Sequence, residues 1–185
     1  MHEYILALFV GLAYLGESRL NEEMKKGKSA SRIVVLDNIR STFNVGSIFR
    51  TADCLGVRKI YLCGITPAPV DRFGRARPDI AKVSLGAEKT IAWEQFSDTE
   101  TVIKKLKKEG YKIISVEQGV GSVDYRKVKI EKSEKVALVM GNEVDGVSPK
   151  VLKLSDVIAE IPLHGKKESL NVLVAFAVAG FRIWE

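Results

Sequence analysis

The stretch KVALVMGNEVDGVSPKVLKLSDVIAEIP, residues 135–162, contains two short apolar runs separated by a segment with helical signals. Each run is rich in β-branched residues and continuous in apolar character, which is typical of a strand buried on both faces. Ser148 and Pro149 suit an N-cap and a first helical position, so they predict a short helix between the runs. Strand, helix and strand in this order indicate parallel strands of one α/β sheet.

Upstream, short apolar runs alternate with helical stretches from Arg32 onward. The helical stretches end at Gly56 and Gly110, where a left-handed residue commonly stops a helix. This alternation favours an α/β domain with a mostly parallel sheet covered by helices on both faces. We predict five buried strands, in the runs RIVVLD (32–37), KIYLCG (59–64), YKIISV (111–116), KVALVMG (135–141) and DVIAEIP (156–162).

The remaining segments predict an extension and one domain. The opening run MHEYILALFVGLAYLG (1–16) is short for a membrane span and lacks a basic start, so we expect a docked helix rather than a signal peptide. We assign residues 1–30 to an N-terminal helical extension and residues 31–185 to the domain. Residues 66–79 contain three prolines and predict a mobile surface loop. Residues 170–184 are apolar nearly all round, which predicts a core helix that also meets a second subunit.

Composition narrows the chemistry. The 185 residues carry a net charge of +6 with a pI near 9.3, which suits a polyanionic partner. Cys54 and Cys63 lie in apolar surroundings without zinc-type spacing, so we predict two reduced core thiols. Because we expect a docked helix rather than a signal peptide at the N-terminus, we predict a cytoplasmic location. With His2 and His164 as the only histidines, neither a histidine-based triad nor a metal site is expected.

Polar or glycine residues follow three of the predicted strands, at the edge where open α/β sheets bind ligands. In chain order they are Asn44 and Arg50, Gly141 and Glu143, and Ser169 and Asn171. If Asn44 caps its helix, free backbone N–H groups and the Arg50 guanidinium suit a phosphate. Each place alone also has a purely structural explanation: a cap with a surface ion pair, a turn that needs Gly141, or a cap at Ser169.

Common nucleotide-binding motifs do not fit. GVGSVD (119–124) lacks the third glycine of a dinucleotide-binding loop, and no G-x-x-x-x-G-K-[ST] phosphate loop occurs in the chain. The sequence therefore lacks the phosphate-binding loop that a nucleotide-handling α/β enzyme of another class would require.

Three stretches, taken together and in this order, resemble the three motifs of the SpoU/TrmH family of SPOUT RNA methyltransferases. They are NVGSIFRTADCLGV (44–57), LVMGNEVDGVS (138–148) and IPLHGKKESLNVLVAFAVAGF (161–181). The resemblance covers about Arg32 to the C-terminus. It implies methylation of a ribose 2′-hydroxyl of tRNA or rRNA with S-adenosylmethionine as methyl donor. It also implies a SPOUT fold with a C-terminal trefoil knot and a homodimer formed through the knot and the final helix.

Residue by residue, the resemblance implies a catalytic set made of Asn44, Arg50, Glu143, Ser169 and Asn171. A second set would hold the cofactor: Gly141, Ile161, Leu163, Ser169 and Leu170, with Val116 and Glu117 as further candidates. No metal or membrane is implied. Family mechanisms often make the arginine the base, but a guanidinium hardly deprotonates. We therefore favour Arg50 as the group that binds the adjacent phosphate and stabilises the developing alkoxide.

Two positions depart from the family pattern, because Val144 and Leu173 stand where many members have glycine and serine. Both look like subfamily variation that leaves the substrate open. About thirty residues precede the matched part, so recognition could depend on a basic surface; the candidates are Arg72, Arg75 and Arg77, which could equally form a solvated loop. The alternative function is a catalytically inactive RNA-binding SPOUT domain, against which the intact motif residues count.

Overall fold

Seven parallel strands form one sheet in the described part of the chain. The structure is a computed structural model that describes Ser31–Glu185; the predicted extension over residues 1–30 lies outside the described residues. The strands are β1 (Arg32–Asp37), β2 (Lys59–Cys63), β3 (Ala92–Phe96), β4 (Lys112–Val116), β5 (Val123–Asp124), β6 (Val136–Met140) and β7 (Val157–Glu160). Their order is β3-β2-β1-β6-β4-β7-β5, and every neighbouring pair is parallel.

Helices cover both faces of this sheet. They are α1 (Thr42–Cys54), α2 (Pro78–Ser84), α3 (Ala87–Thr90), α4 (Thr99–Lys108), α5 (Pro149–Leu154) and α6 (Val172–Ile183), with a 3-10 turn at Tyr125–Lys127. Residues of α1, α2, α3 and α6 share one apolar core with the sheet, and residues of α4 and α5 share the other. The predicted fold class is confirmed, while the knot and the boundary after residue 30 stay predictions.

Helix α4 shows how local sequence sets an element. Asp98 caps its start by accepting two backbone N–H groups, and Gly110, at φ 81°, follows its end. The lysines of the last turn lie at the negative end of the helix dipole. Its fully buried apolar side chains face the sheet; they are Val102, Ile103 and Leu106.

The sheet has two strands more than predicted. β3 is an edge strand whose residues are only partly buried or exposed, so it has no continuous apolar run to mark it. β5 has two residues at the opposite edge. The loop predicted over residues 66–79 is anchored at both ends, because Thr66 is fully buried and Pro78 begins α2.

Two cap assignments that the sequence left open do not match the structure, and one prediction about the cysteines is wrong. Ser41 rather than Asn44 caps α1, and its side chain accepts the N–H of Asn44 at 3.2 Å. Asn171 rather than Ser169 caps α6, so this helix begins at Val172. Both cysteines are free thiols, but Cys54 is exposed and only Cys63 lies in the core.

Helix α6 is less enclosed than its composition predicts. One side, with Phe176 fully buried, packs on the core. The other side leaves apolar side chains between 36% and 47% exposed, namely Leu170 just before the helix, Val174, Val178 and Phe181. At 12 residues α6 spans about 18 Å, and none of the helices in the described part of the chain is both long and apolar enough to cross a bilayer.

Candidate active site

A cavity of about 400 Å³ opens at the carboxyl ends of β4, β6 and β7. β1 and β6 are neighbours in the sheet, but the chain proceeds from β1 to β2 on one side and from β6 to β7 on the other. Open α/β sheets commonly bind ligands at the carboxyl ends of strands near such a switch point. All of the predicted cofactor residues line this cavity: Val116, Glu117, Gly141, Ile161, Leu163, Ser169 and Leu170. The predicted catalytic residues Glu143 and Asn171 line it as well.

A tight turn after β6 forms one wall of the cavity. Asn142 and Gly146 exchange two backbone hydrogen bonds of 2.9 and 3.0 Å. The Asn142 side chain accepts the N–H of Val144 and donates to the carbonyl of Asn38 at 2.7 Å, which ties this turn to the end of β1. A Cβ on Gly141 would meet the Val147 nitrogen at 2.1 Å, so glycine is required by the returning chain rather than by a ligand.

Glu143 joins this turn to the start of α1. Its carboxylate accepts the backbone N–H groups of Arg40 and Ser41, both at 3.0 Å, and the Asn44 amide at 2.9 Å. Partial burial raises the pKa of Glu143, but the Arg40 N–H, the Asn44 amide and the Ser41 N–H together hold that pKa below its usual value. Glu143 is therefore ionised, and it occupies the backbone N–H groups of the two residues directly before α1.

Asn44 links Glu143 to the start of α6. Its side chain is buried, with 5% exposure, and its oxygen accepts the Asn171 amide at 3.2 Å. The Asn171 oxygen in turn accepts the N–H of Leu173 at 2.9 Å. Three predicted catalytic residues from distant parts of the chain thus form one hydrogen-bonded row, while Ser169 lies exposed on the cavity wall.

Arg50 lies apart from this row. It is exposed on α1, it does not line the cavity, and its side chain makes no hydrogen bond or ion pair with another residue between Ser31 and Glu185. Its helix is fixed nearby, because Gly46 lets α2 approach so closely that a Cβ would stand 2.8 Å from the Ile80 carbonyl oxygen.

The cavity wall is acidic and apolar. Glu117, Glu143 and Asp145 are its charged residues, and no lysine or arginine of the described residues lines it. Such a wall favours a cation with an apolar portion and disfavours a phosphate. In residues 31–185 no three His, Cys, Asp or Glu side chains are grouped to hold a metal ion.

Two residues absent from the sequence prediction complete the site. Gln118 donates to the carbonyl of Glu168 at 2.7 Å and so fixes the loop before α6 against the end of β4. Asn142 shapes the Glu143 turn, as described above. Both are polar residues placed soon after a buried strand, and Asn142 also lies within the second motif stretch. Of the two departures, Val144 lines the cavity, and Leu173 packs partly buried against the core.

A model of the SpoU rRNA Methylase family matches residues 31–181. The chain belongs to this family. Its parallel sheet agrees with the predicted fold class, and the residues of the second and third motifs lie at one edge of that sheet.

Among curated proteins, the chain is similar to a 23S rRNA (guanosine-2′-O-)-methyltransferase, RlmB, of Coxiella burnetii. The two are 29% identical over 182 residues, which cover 98% of this chain and 69% of that protein. A tRNA (guanosine(18)-2′-O)-methyltransferase of Aquifex aeolicus is 29% identical over 160 residues, covering 86% of this chain and 71% of that protein.

Among solved structures, the AdoMet-bound rRNA methyltransferase of Sinorhizobium meliloti matches with a TM-score of 0.74 and 30% identity. The match covers 83% of this chain but only 56% of the Sinorhizobium chain. The TrmH/SpoU tRNA modifying enzyme of A. aeolicus matches with a TM-score of 0.70 and 26% identity, over 91% of this chain and 82% of that one.

Proposed function

We propose that this protein transfers a methyl group from S-adenosylmethionine to a ribose 2′-hydroxyl of tRNA or rRNA. The observation that carries the proposal is the cavity itself, which gathers all of the predicted cofactor residues beside the row formed by Asn44, Glu143 and Asn171. Relatives named as RNA 2′-O-methyltransferases of both substrate classes support the reaction.

The cavity suits this cofactor in size and charge. Its volume of about 400 Å³ is in the usual range for small-molecule sites. S-adenosylmethionine supplies an electrophilic methyl group on a cationic sulfonium, and the acidic wall without basic side chains favours such a cation. Apolar side chains suit the adenine ring, among them Met140, Ile161, Leu163 and Leu170.

The residues of the row position the reacting groups rather than transfer protons. Methyl transfer by in-line displacement depends mainly on alignment in a dry pocket. Glu143 holds the start of α1, and Asn44 and Asn171 join that start to α6. The starts of the two helices therefore keep one geometry relative to the cavity wall that contains Glu143 and Asn171. Arg50 binds the phosphate next to the target ribose and stabilises the developing alkoxide.

Arg50 acts in this proposal across a homodimer interface. Its position outside the cavity of its own chain supports the idea, and the exposed apolar side of α6 offers a surface for the second copy. The proposal also includes a homodimer with the trefoil knot of the family and a cytoplasmic location.

Calorimetry with S-adenosylmethionine tests the cofactor, and transfer of a labelled methyl group to bulk unmodified tRNA and rRNA tests the reaction. We expect binding and transfer at a ribose. A wild-type protein that does not bind the cofactor at millimolar concentration would contradict the methyltransferase proposal. Cofactor binding without transfer to any RNA would favour the inactive RNA-binding domain. Mass spectrometry of RNA from a deletion strain then identifies the missing 2′-O-methyl group.

A further inference from the structure

A short turn over residues 69–77 projects an aromatic ring from the surface. Its two sides pair through an antiparallel bridge between Val70 and Ala76, and the N–H of Arg77 donates to the carbonyl of Pro69 at 2.9 Å. At its end, Phe73 is 66% exposed. The guanidinium carbons of Arg72 and Arg75 lie 4.8 and 5.0 Å from the centre of the Phe73 ring. We call these three residues the arginine–phenylalanine tip.

Asp71 holds the tip in one conformation. One of its carboxylate oxygens accepts the N–H groups of Phe73 and Arg75 at 2.8 and 2.9 Å, and the other accepts Nε of Arg75 at 2.9 Å. These contacts, with the N–H of Arg75 foremost, lower the pKa of Asp71. Gly74, at φ 77°, completes the turn. These contacts therefore keep the Phe73 ring exposed. A flexible loop, by contrast, could fold the ring onto the protein surface.

The arginines of this region are not equivalent. Arg75 pairs with Asp71, and Arg77 pairs with Asp79, both at 2.9 Å. The Arg72 side chain makes no hydrogen bond or ion pair within residues 31–185, and its guanidinium group makes a cation–π contact with the Phe73 ring. Arg72 can therefore leave the ring for a phosphate without breaking an ion pair in this part of the chain.

The tip is connected to the start of α1. Asp79, in the first turn of α2, accepts hydrogen bonds from the Arg77 side chain and from the Thr42 side chain at the start of α1. These hydrogen bonds, with that of Arg77 foremost, lower the pKa of Asp79. α2, which begins directly after the turn, packs against Gly46 of α1. The turn leaves the sheet after β2, and α1 leaves it after β1, so both emerge at the edge that carries the cavity.

We propose that the arginine–phenylalanine tip docks an unpaired base of the RNA, which stacks on the Phe73 ring while Arg72 turns to the adjacent phosphate. Aromatic rings and guanidinium groups are the usual partners of splayed-out bases and of phosphates. The docking role rests on the proposed RNA substrate. The contact lies outside the cavity, and it selects RNA that is unpaired near the target ribose.

The full-length protein tests this proposal by fluorescence anisotropy with a labelled single-stranded RNA of about 16 nucleotides and with the corresponding duplex. We expect Phe73→Ala to weaken binding of the single strand by about 5- to 150-fold and Phe73→Trp to preserve it. Arg72→Gln should reduce the slope of log affinity against log salt by about 0.7. Leu85→Ala is the matched control, because Leu85, which directly follows α2, is an apolar residue that is also 66% exposed.

The remaining readouts separate the possible failures. S-adenosylmethionine affinity should be unchanged in all four variants, and methyl transfer by Phe73→Ala should show a raised KM for RNA. Wild-type affinity for single-stranded RNA in Phe73→Ala, in a protein that methylates RNA, would overturn the docking role alone. An equal loss in Leu85→Ala would also overturn it. A wild-type protein that neither binds nor methylates RNA would overturn the proposed function and the docking role together.

Discussion

Glu143 accepts three N–H groups, and all three hydrogen bonds favour the ionised carboxylate over the protonated form. In Glu143→Gln one carboxylate oxygen is replaced by an NH2 group, which faces N–H donors and cannot accept from them. We therefore expect the free energy of unfolding at pH 7 to fall by about 1 kcal/mol; the loss is small because the side chain is partly exposed to water. Urea denaturation measures the change. Asp145→Asn is the control, because its ion pair with Arg40 is long and exposed and should contribute little.

The same substitution predicts a pH dependence. Because the folded-state pKa of Glu143 is below its usual value, the carboxylate contributes stability above that usual value and loses the contribution as pH falls through the lowered pKa. The difference between wild type and Glu143→Gln should therefore be largest near neutral pH and should shrink under acid conditions. A difference that grows on acidification would contradict the assignment of Glu143 as an ionised acceptor.

The two cysteines differ in reactivity at the residue scale. Burial raises the pKa of Cys63 to about 12, whereas Cys54 is exposed at the end of α1. We expect a thiol reagent at pH 8 to modify one cysteine of the native protein quickly and both after denaturation. Cys54→Ser should abolish the fast reaction. Fast loss of the second thiol in the native variant would show that the core around Cys63 opens readily.

At the scale of elements, the close approach of α1 and α2 depends on Gly46. A Cβ there would stand 2.8 Å from the Ile80 carbonyl oxygen and 3.1 Å from the Val83 Cβ. We expect Gly46→Ala to force the helices apart and to lower the free energy of unfolding by about 1–3 kcal/mol. Gly165→Ala, with nothing within 4 Å of the added Cβ, should stay within about 0.5 kcal/mol of wild type. Equal stability of both variants would contradict this packing.

The elements that the sequence predicts well are those with strong local signals. Asp98, Gly110 and a buried apolar side identify α4 without reference to the rest of the fold. The start of α1 lacks such a local decision, because Ser41 and Asn44 are both good caps. Contacts from Glu143, about a hundred positions later, help to fix the chain before this helix. An exposed edge strand such as β3 likewise has no apolar pattern to reveal it.

The candidate site follows the same division. Motif order predicts that the proposed cofactor residues line one cavity, as they do, because each motif follows a strand and parallel strands end at one edge. Spacing cannot reveal the Asn44–Asn171 contact, which joins two helix starts 127 positions apart. It also cannot reveal that Arg50 lies outside the cavity lined by Glu143, since that depends on how α1 is rotated on the sheet.

For the whole molecule, the position of Arg50 gives a test of the homodimer. If Arg50 of one protomer completes the cavity of the other, Arg50→Ala and Asn171→Ala should each abolish most methyl transfer, and Arg50→Ala should keep its cofactor affinity. When the two variants are unfolded and refolded together, half of the dimers are mixed, and one cavity in each mixed dimer contains both intact residues. Recovered activity should therefore approach about a quarter of the wild-type value.

The control for this experiment is each variant refolded alone, which should stay inactive while light scattering reports the same dimeric mass. An arrangement in which Arg50 serves its own cavity predicts no recovery, because every cavity of a mixed dimer then lacks one of the two residues. A monomeric mass for the wild-type protein would contradict the shared site directly. It would also leave the exposed apolar side of α6, with Val174, Val178 and Phe181, without the partner copy that the proposal assigns to it.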